Sequence, residues 1–343
     1  MSVGFAKDLS VIIPARCEQF ARHTVEDVLA HMKTDGEVIL IADGSWPDPP
    51  IVDHPKVKII HTTDPVGQRA ATNIGASISR AKYILKLDAH CSVDEGFDEK
   101  LLADMQPDMT MIPAMHRLHV FDWICECGER EYQGAKPDKC KECGGSDFTM
   151  AMVWQPRLQY APTVTWLFDA SLHFQYWKQY SREPKRDQPN PHWERFKEQE
   201  PTGLVETMSC IGCCFLMERE RFWQLGGMED HGNPQGWGQF GTELSAKTWL
   251  SGGRMVTHLG TWIGHLFRTG NFARNGSPWP YEIRQSDIDR ARKHSRDLWL
   301  NNAWPGQNRP LSWLVEKFWP VPGWTDADLK RLKDSERDFV AAA

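Results

Sequence analysis

The chain has 343 residues, with 40 Lys and Arg against 46 Asp and Glu for a formal charge of −6, a balance that excludes a uniformly basic nucleic-acid coat but leaves room for a local basic groove. No stretch approaches the roughly 18 uninterrupted apolar residues of a membrane-spanning helix, and the opening MSVGFAKDLSVIIPAR lacks the charged, apolar and small-residue succession of a secretory leader. Nine cysteines are an odd number, and four of them fall between 125 and 143; this predicts a cytosolic protein, with no membrane partner, that uses thiols for metal rather than for disulfides.

Apolar, β-branched runs at 9–15, 37–43, 57–62, 83–88 and 109–114 predict strands, with a helix over 66–81 between the third and fourth. Near-continuous apolar strands separated by helical stretches belong to a parallel sheet covered on both faces, whose ligands bind beyond the carboxyl ends of the strands. Three of the runs end in polar residues suited to chemistry: Arg16-Cys17-Glu18, Asp43-Gly44-Ser45 and Asp88-Ala89-His90. Asp88 and His90 stand two apart, so in an extended strand they project from one face and can hold one ion between them. A carboxylate with an imidazole suits Mn²⁺ or another first-row divalent ion better than Ca²⁺.

The pairs Cys125/Cys127 and Cys140/Cys143 lie in a segment too polar to build a core. Four thiolates so spaced form the ligand set of a tetrahedral structural Zn²⁺ site, in which the metal supplies the folding energy. The other cysteines, Cys17, Cys91, Cys210, Cys213 and Cys214, sit among apolar neighbours and read as packed small residues.

LSVIIPARCEQ, IADGS and VGQRAATNIGASISRAKYILKLDAHC resemble, in order and spacing, the nucleotide-binding half of GT-A glycosyltransferases of the family-2 type. MSCIGCCFLMERERFWQLGGMEDHGNPQGWGQFGTELSAKTWLSGG, then WIGHLFR and RARKHSRDLWLNN, is similar to the catalytic subdomain of polypeptide N-acetylgalactosaminyltransferases. The resemblance implies an α/β GT-A fold, a mostly parallel Rossmann-like sheet flanked by helices, carrying an inserted zinc ribbon and a C-terminal helical or extended arm. It implies the following divisions: a nucleotide-sugar half at 1–120, the zinc insertion at 121–150, an acceptor and catalytic half at 151–302 and the arm at 303–343. It further implies that Asp88, His90 and His265 carry a divalent metal, that Asp43 and Arg69 meet the nucleotide of a UDP-sugar, that Arg268 faces the diphosphate and that Trp237 lines the sugar pocket. The metal and Arg268 would neutralise charge building on a departing diphosphate.

One departure from the family stands out. Where the relatives read WGGEN, this chain has Trp237-Gly238-Gln239-Phe240-Gly241: Phe240 replaces the glutamate, and Gly241 stands where many inverting family-2 enzymes carry a general-base aspartate. Glu243 and Asp230 are then the candidate bases for an acceptor hydroxyl.

Basic residues mix with aromatics at 178–197, and Arg268, Arg274, Arg284, Arg290, Arg292, Lys293 and Arg296 follow at 268–296, a composition able to track phosphates and stack an exposed base. The sequence reading is therefore a Mn²⁺-dependent transferase moving a sugar from a UDP-sugar to a hydroxyl on a macromolecule, with hydroxymethylated DNA first and its base flipped for reaction. Protein Ser/Thr or a glycan is the alternative acceptor, and a non-catalytic zinc-ribbon nucleic-acid binder on a degenerate scaffold is the alternative class. Pro and Trp across 304–324 predict an extended arm laid over the domain, and 325–338 a helix capped by Thr325.

Overall fold

The computed structural model describes residues 5–185, 189–229, 238–268 and 279–339. Strand β1 (Lys7–Ala15), helix α1 (Ala21–His31), strands β2 (Gly36–Asp43) and β3 (Val57–Thr62), helix α2 (Gly67–Ile78) and strand β4 (Ala81–Leu87) follow in order. β1 runs parallel to β2 and β4, and β2 parallel to β3. The pleat of β2 serves both layers: Val38 and Leu40 share a cluster with Val25 and Val28 of α1, while Ile39 and Ile41 cluster with Ala71 of α2. Each such burial is worth about 1.5–3 kcal/mol, which is why the run has no polar face. β3 closes this side, half-exposed, with Lys58 Nζ 2.6 Å from Glu37 Oε2. α2 can lie on β1 because residue 75 is glycine: a Cβ there would stand 2.4 Å from Ile12 Cγ2.

Strand β5 (Cys91–Val93), helix α3 (Phe97–Ala103) and strand β6 (Met109–Cys125) come next. β6 is far longer than the run at 109–114. Its first part belongs to the main sheet, and from Leu118 onward it pairs with β7 (Arg130–Tyr132) and β8 (Phe148–Pro156), whose Pro156 stands opposite Leu118. The strand continues because Leu118, Val120 and Phe121 find a second cluster with Phe20 and Leu266. The four-cysteine segment hangs at the far end of this three-stranded unit.

β9 (Trp166–Phe168) and β10 (Phe174–Tyr176) form a separate hairpin, followed by α4 (Pro191–Gln199). Strands β11 (Leu204–Glu206) and β12 (Cys214–Glu218), helices α5 (Arg219–Gln224) and α6 (Phe240–Leu250), and strand β13 (Arg254–His265) complete the sheet in the order β11-β13-β6-β12-β4-β1-β2-β3. The sheet is thus not wholly parallel: β12 lies between β4 and β6, antiparallel to both. Parallel neighbours need a crossover, usually helical; an antiparallel entry does not, and β12 enters antiparallel.

Helices α7 (Gln285–Trp299), α8 (Leu311–Lys317) and α9 (Asp326–Ser335) end the chain. The segment predicted as an extended arm contains α8, because Leu311, Leu314 and Val315 repeat at helical spacing and bury in the main core. Thr325 caps α9 in a capping box with Asp328. Cys91, Cys210, Cys213 and Cys214 are buried as predicted, whereas Cys17 is exposed at φ 49° on the turn after β1. Among the described residues no helix is long and apolar enough to cross a membrane.

Candidate functional site

The carboxyl ends of β1, β2 and β4 open onto a cavity of about 340 Å³, where a sheet of this kind presents its ligand. Asp88 and His90 follow β4. Residues 91–93 form β5 and pair antiparallel with the end of β13, His265 opposite Cys91, and this register delivers His265 to the pair from far along the chain. One ligand atom from each of Asp88, His90 and His265 lies within 4.8 Å of the others. His265 Nε2 is 3.3 Å from Asp88 Oδ2, and the two imidazole centroids are 5.0 Å apart.

The surroundings fix the charge state of this triad. Burial acts against the ionisation of Asp88, but Lys86, then His265 and His90, hold its carboxyl well below the usual carboxylate range. Lys86 is fully buried, its Nζ bonded to Asp88 Oδ1 and 2.6 Å from the carbonyl oxygen of Gly212; Gln68 Nε2 donates to the same carboxylate at 2.8 Å. Burial, helped by the neighbouring His90 and Lys86 and opposed by Asp88, pushes His265 down to about 4, so its ring is neutral near pH 7, and its buried Nδ1 has no hydrogen-bond partner among the described residues. His90 Nδ1 lies 2.9 Å from Glu18 Oε2, the outer carboxylate that typically orients a ligating imidazole. An ionised carboxylate, two imidazoles and an outer carboxylate fit a first-row divalent ion.

Glu18 and Gln68, like Lys86 and Tyr281, are functional candidates that sequence reasoning did not single out. Glu18 carried a signal, the polar triplet ending β1; Gln68 carried none beyond adjacency to Arg69. Glu18 also binds Arg268, whose Nη2 stands 2.5 and 2.6 Å from its two oxygens. Arg268 therefore lines the cavity, tied to the triad through Glu18. Tyr281, lying under the Arg16 guanidinium at 4.6 Å, closes another wall.

Asp43 lines the cavity, but its carboxylate also accepts from the backbone N–H groups of Val66 (2.5 Å) and Gly67 (3.0 Å), anchoring the start of α2. Burial raises its pKa. Arg69 and Glu243 are placed otherwise than expected. Arg69 is buried, bonded to Glu243 and, through Nη2, to the Gly238 carbonyl oxygen at 2.9 Å, so it supports the first turn of α6 rather than meeting a nucleotide. Glu243 is only 1% exposed; besides Arg69 it accepts from Lys247 Nζ at 3.0 Å and from the Glu229 N–H at 2.7 Å. A carboxylate so occupied, and outside the cavity lining, is not placed to take a proton from an acceptor.

The glycine at 241 has a steric reason. A Cβ there would stand 1.9 Å from the carbonyl oxygen of Cys210, a backbone contact that cannot yield, so no aspartate fits. Phe240 fills the neighbouring position, its ring facing Lys86 Nζ at 5.0 Å. Asp230, Trp237 and Arg274 lie outside the described residues.

The four cysteines converge: their sulfurs all lie within 4.8 Å, with Cys125–Cys143 at 3.5 Å and Cys127–Cys140 at 3.6 Å. These separations far exceed the roughly 2.05 Å of a disulfide and approach the about 3.8 Å edge of a tetrahedron with Zn–S near 2.3 Å. Gly128 and Gly144, both at positive φ, turn the chain back after each pair, and the Gly145 N–H points to Cys143 Sγ at 3.4 Å.

The basic stretches divide. On α7, Arg290, Arg292 and Lys293 lie beside Asp287, Asp289 and Asp297, a self-paired helix face rather than a phosphate track. In the earlier stretch, Arg195 donates to the Lys317 carbonyl oxygen at 2.7 Å and Lys197 pairs with Glu200.

Residues 10–124 match the family model described as Glycosyl transferase family 2. It is 25% identical over 222 residues to polypeptide N-acetylgalactosaminyltransferase 12 of Homo sapiens, covering 64% of this chain and 31% of the relative. It is likewise 25% identical over 272 residues to polypeptide N-acetylgalactosaminyltransferase 8 of Drosophila melanogaster, covering 77% and 38%. The chain thus spans about a third of the length of these curated relatives. Among solved structures, the crystal structure of GalNAc-T7 with UDP, GalNAc and Mn²⁺ superposes with a TM-score of 0.57 at 18% identity, covering 96% of this chain and 54% of that one. The fold is GT-A.

Proposed function

We propose that this glycosyltransferase domain moves a sugar from a UDP-sugar to a hydroxyl of a polypeptide, with a divalent ion, Mn²⁺ first, held by Asp88, His90 and His265. The observation that carries the reading is the assembly of these three ligands, with Glu18 behind His90, at the mouth of the cavity beyond β4. The ion would supply Lewis-acid neutralisation of the diphosphate as the glycosidic bond breaks. Arg268, oriented by Glu18, adds fixed positive charge on the same side. Lys86 keeps Asp88 ionised and in place, while Asp43, Tyr281 and Arg16 shape the nucleotide end of the cavity. Glu243 and Arg69 hold the α6 turn beneath it, and Asp230 remains the proposed recipient of the hydroxyl proton. The assembled triad opposes a non-catalytic scaffold, since a structural role asks for no such donor set.

The relatives' names favour a polypeptide acceptor, as does the self-paired surface of α7; hydroxymethylated DNA becomes the second acceptor to test. The four cysteines hold a structural Zn²⁺ at the tip of the insertion. UDP release with Mn²⁺ from a panel of UDP-sugars that includes UDP-GalNAc, with Ser/Thr peptides or hydroxymethylated DNA added, tests the reading. Peptide-stimulated release is expected; release stimulated only by DNA, or none from any donor, would overturn it.

A further inference from the structure

A second and larger cavity, of about 810 Å³, adjoins the first, the two sharing Tyr176 and Phe267 as a common wall. Four cations line it: Arg117 on β6, Arg157 just past β8, and Lys178 and Arg182 after β10. Glu183 is the lining carboxylate. Among the described residues none of the four cations has an ion-pair partner, in contrast to α7, where the cations sit beside carboxylates three or four residues away. Arg117 and Arg157 are instead held by aromatic faces, Arg117 over Phe267 at 5.3 Å and Arg157 over Tyr160 at 4.5 Å, which fixes their direction while leaving N–H edges able to donate. The base of the cysteine-tipped insertion builds one side: the Arg157 N–H donates to the Arg117 carbonyl oxygen at 2.8 Å.

We infer that this groove is the acceptor subsite and that it takes a polypeptide segment carrying Asp or Glu beside the hydroxyl to be glycosylated. The inference rests on the polypeptide reading above and adds the charge of the acceptor. A hydroxyl presented across the Tyr176–Phe267 wall would enter the cavity of the metal triad, while flanking carboxylates meet the arginine forks, which suit them bidentately. Unpaired cations around a concave surface also raise the local concentration of an acidic partner. A nucleic acid is the less favoured occupant: the neighbouring basic stretch on α7 adds little to a phosphate track, because Arg290, Arg292 and Lys293 already lie beside carboxylates of their own helix.

The test is equilibrium binding to the full chain of fluorescein-labelled Ser/Thr peptides with acidic, neutral or Lys-rich flanks, and of a single-stranded DNA of similar charge, by anisotropy at about 50 and 300 mM salt. The acidic peptide is expected to bind at least about tenfold tighter than the neutral one at low salt, a gap of about 1.4 kcal/mol, and tighter than the DNA. In a doubly reversed Arg117→Glu/Lys178→Glu protein the order of acidic and Lys-rich peptides should invert, and the milder Arg117→Gln should narrow the gap if the reversal fails to fold. Equal binding of acidic and neutral peptides, or DNA binding tighter than the acidic peptide, overturns the inference. Because binding is read without turnover, an inactive enzyme that still prefers acidic peptides would sink the catalytic reading and spare this one.

Discussion

The two metal-ligating clusters are built in opposite ways. The cysteine cluster draws its ligands from 125–143, a hairpin's worth of chain with a glycine turn after each pair, and its sulfurs lie at the end of a small three-stranded unit with little core of its own. The Asp88–His90–His265 cluster draws on residues separated by most of the sheet, and the register of β13 on β5 and β6 brings them together. A local site whose ligands are thiolates contributes folding energy and can be lost without dismantling the domain. A site assembled by the main sheet exists only after the fold does, so its ligands can serve chemistry while stability comes from elsewhere.

That contrast can be broken by substitution. The largest effect is expected from His90→Ala, which removes a ligand while leaving Glu18 paired with Arg268: metal-dependent UDP release should fall by about 10²–10³-fold with the denaturation midpoint nearly unchanged. Asp88→Ala should lose activity as well but also stability, since Lys86 is left as an uncompensated buried charge; a cost of about 3–5 kcal/mol is expected from chemical denaturation. Glu243→Gln sharpens the distinction between supporting and reacting carboxylates. It strips the buried Arg69 and Lys247 of their partner, so the same order of destabilisation is expected; a large rate loss with unchanged stability would restore Glu243 as the base. Cys127→Ser/Cys143→Ser should abolish stoichiometric zinc and expose the insertion to proteolysis, while UDP release falls far less than in His90→Ala. The smallest effect belongs to Lys293→Ala on α7: peptide and DNA affinities measured by anisotropy should change by less than about twofold, as expected for an exposed i,i+4 pair.

The difference between the clusters also explains what could be read from the chain. Strands β1 to β4 were legible because each is a near-continuous apolar run, and the Asp88/His90 pair because the two residues stand two apart just past the end of one strand. The cysteine site was legible for the same reason of locality. Glu18 and Gln68 were not singled out because their importance lies in what they touch: a histidine and an arginine far along the chain for Glu18, a carboxylate beyond the next strand for Gln68. Glu243 misled because a lone carboxylate near a motif looks available until Arg69 and Lys247 are seen around it. The extension of β6 was hidden by its alternation, with polar His116, Arg117 and His119 interrupting the apolar run, although His116 and Arg117 are where one wall of the groove is built. The sense of β12 depends on pairing with β4 and β6, which no local pattern in CFLME encodes.

The central claim is that Asp88, His90 and His265 hold the divalent ion that works on a UDP-sugar. It is tested most directly by titrating Mn²⁺ calorimetrically into the protein with UDP present, parent against His90→Ala and His265→Ala. One Mn²⁺ per chain in the parent, with affinity lost by at least about tenfold in each variant, is the predicted result. Unchanged Mn²⁺ binding in both variants, with the fold intact, would contradict it.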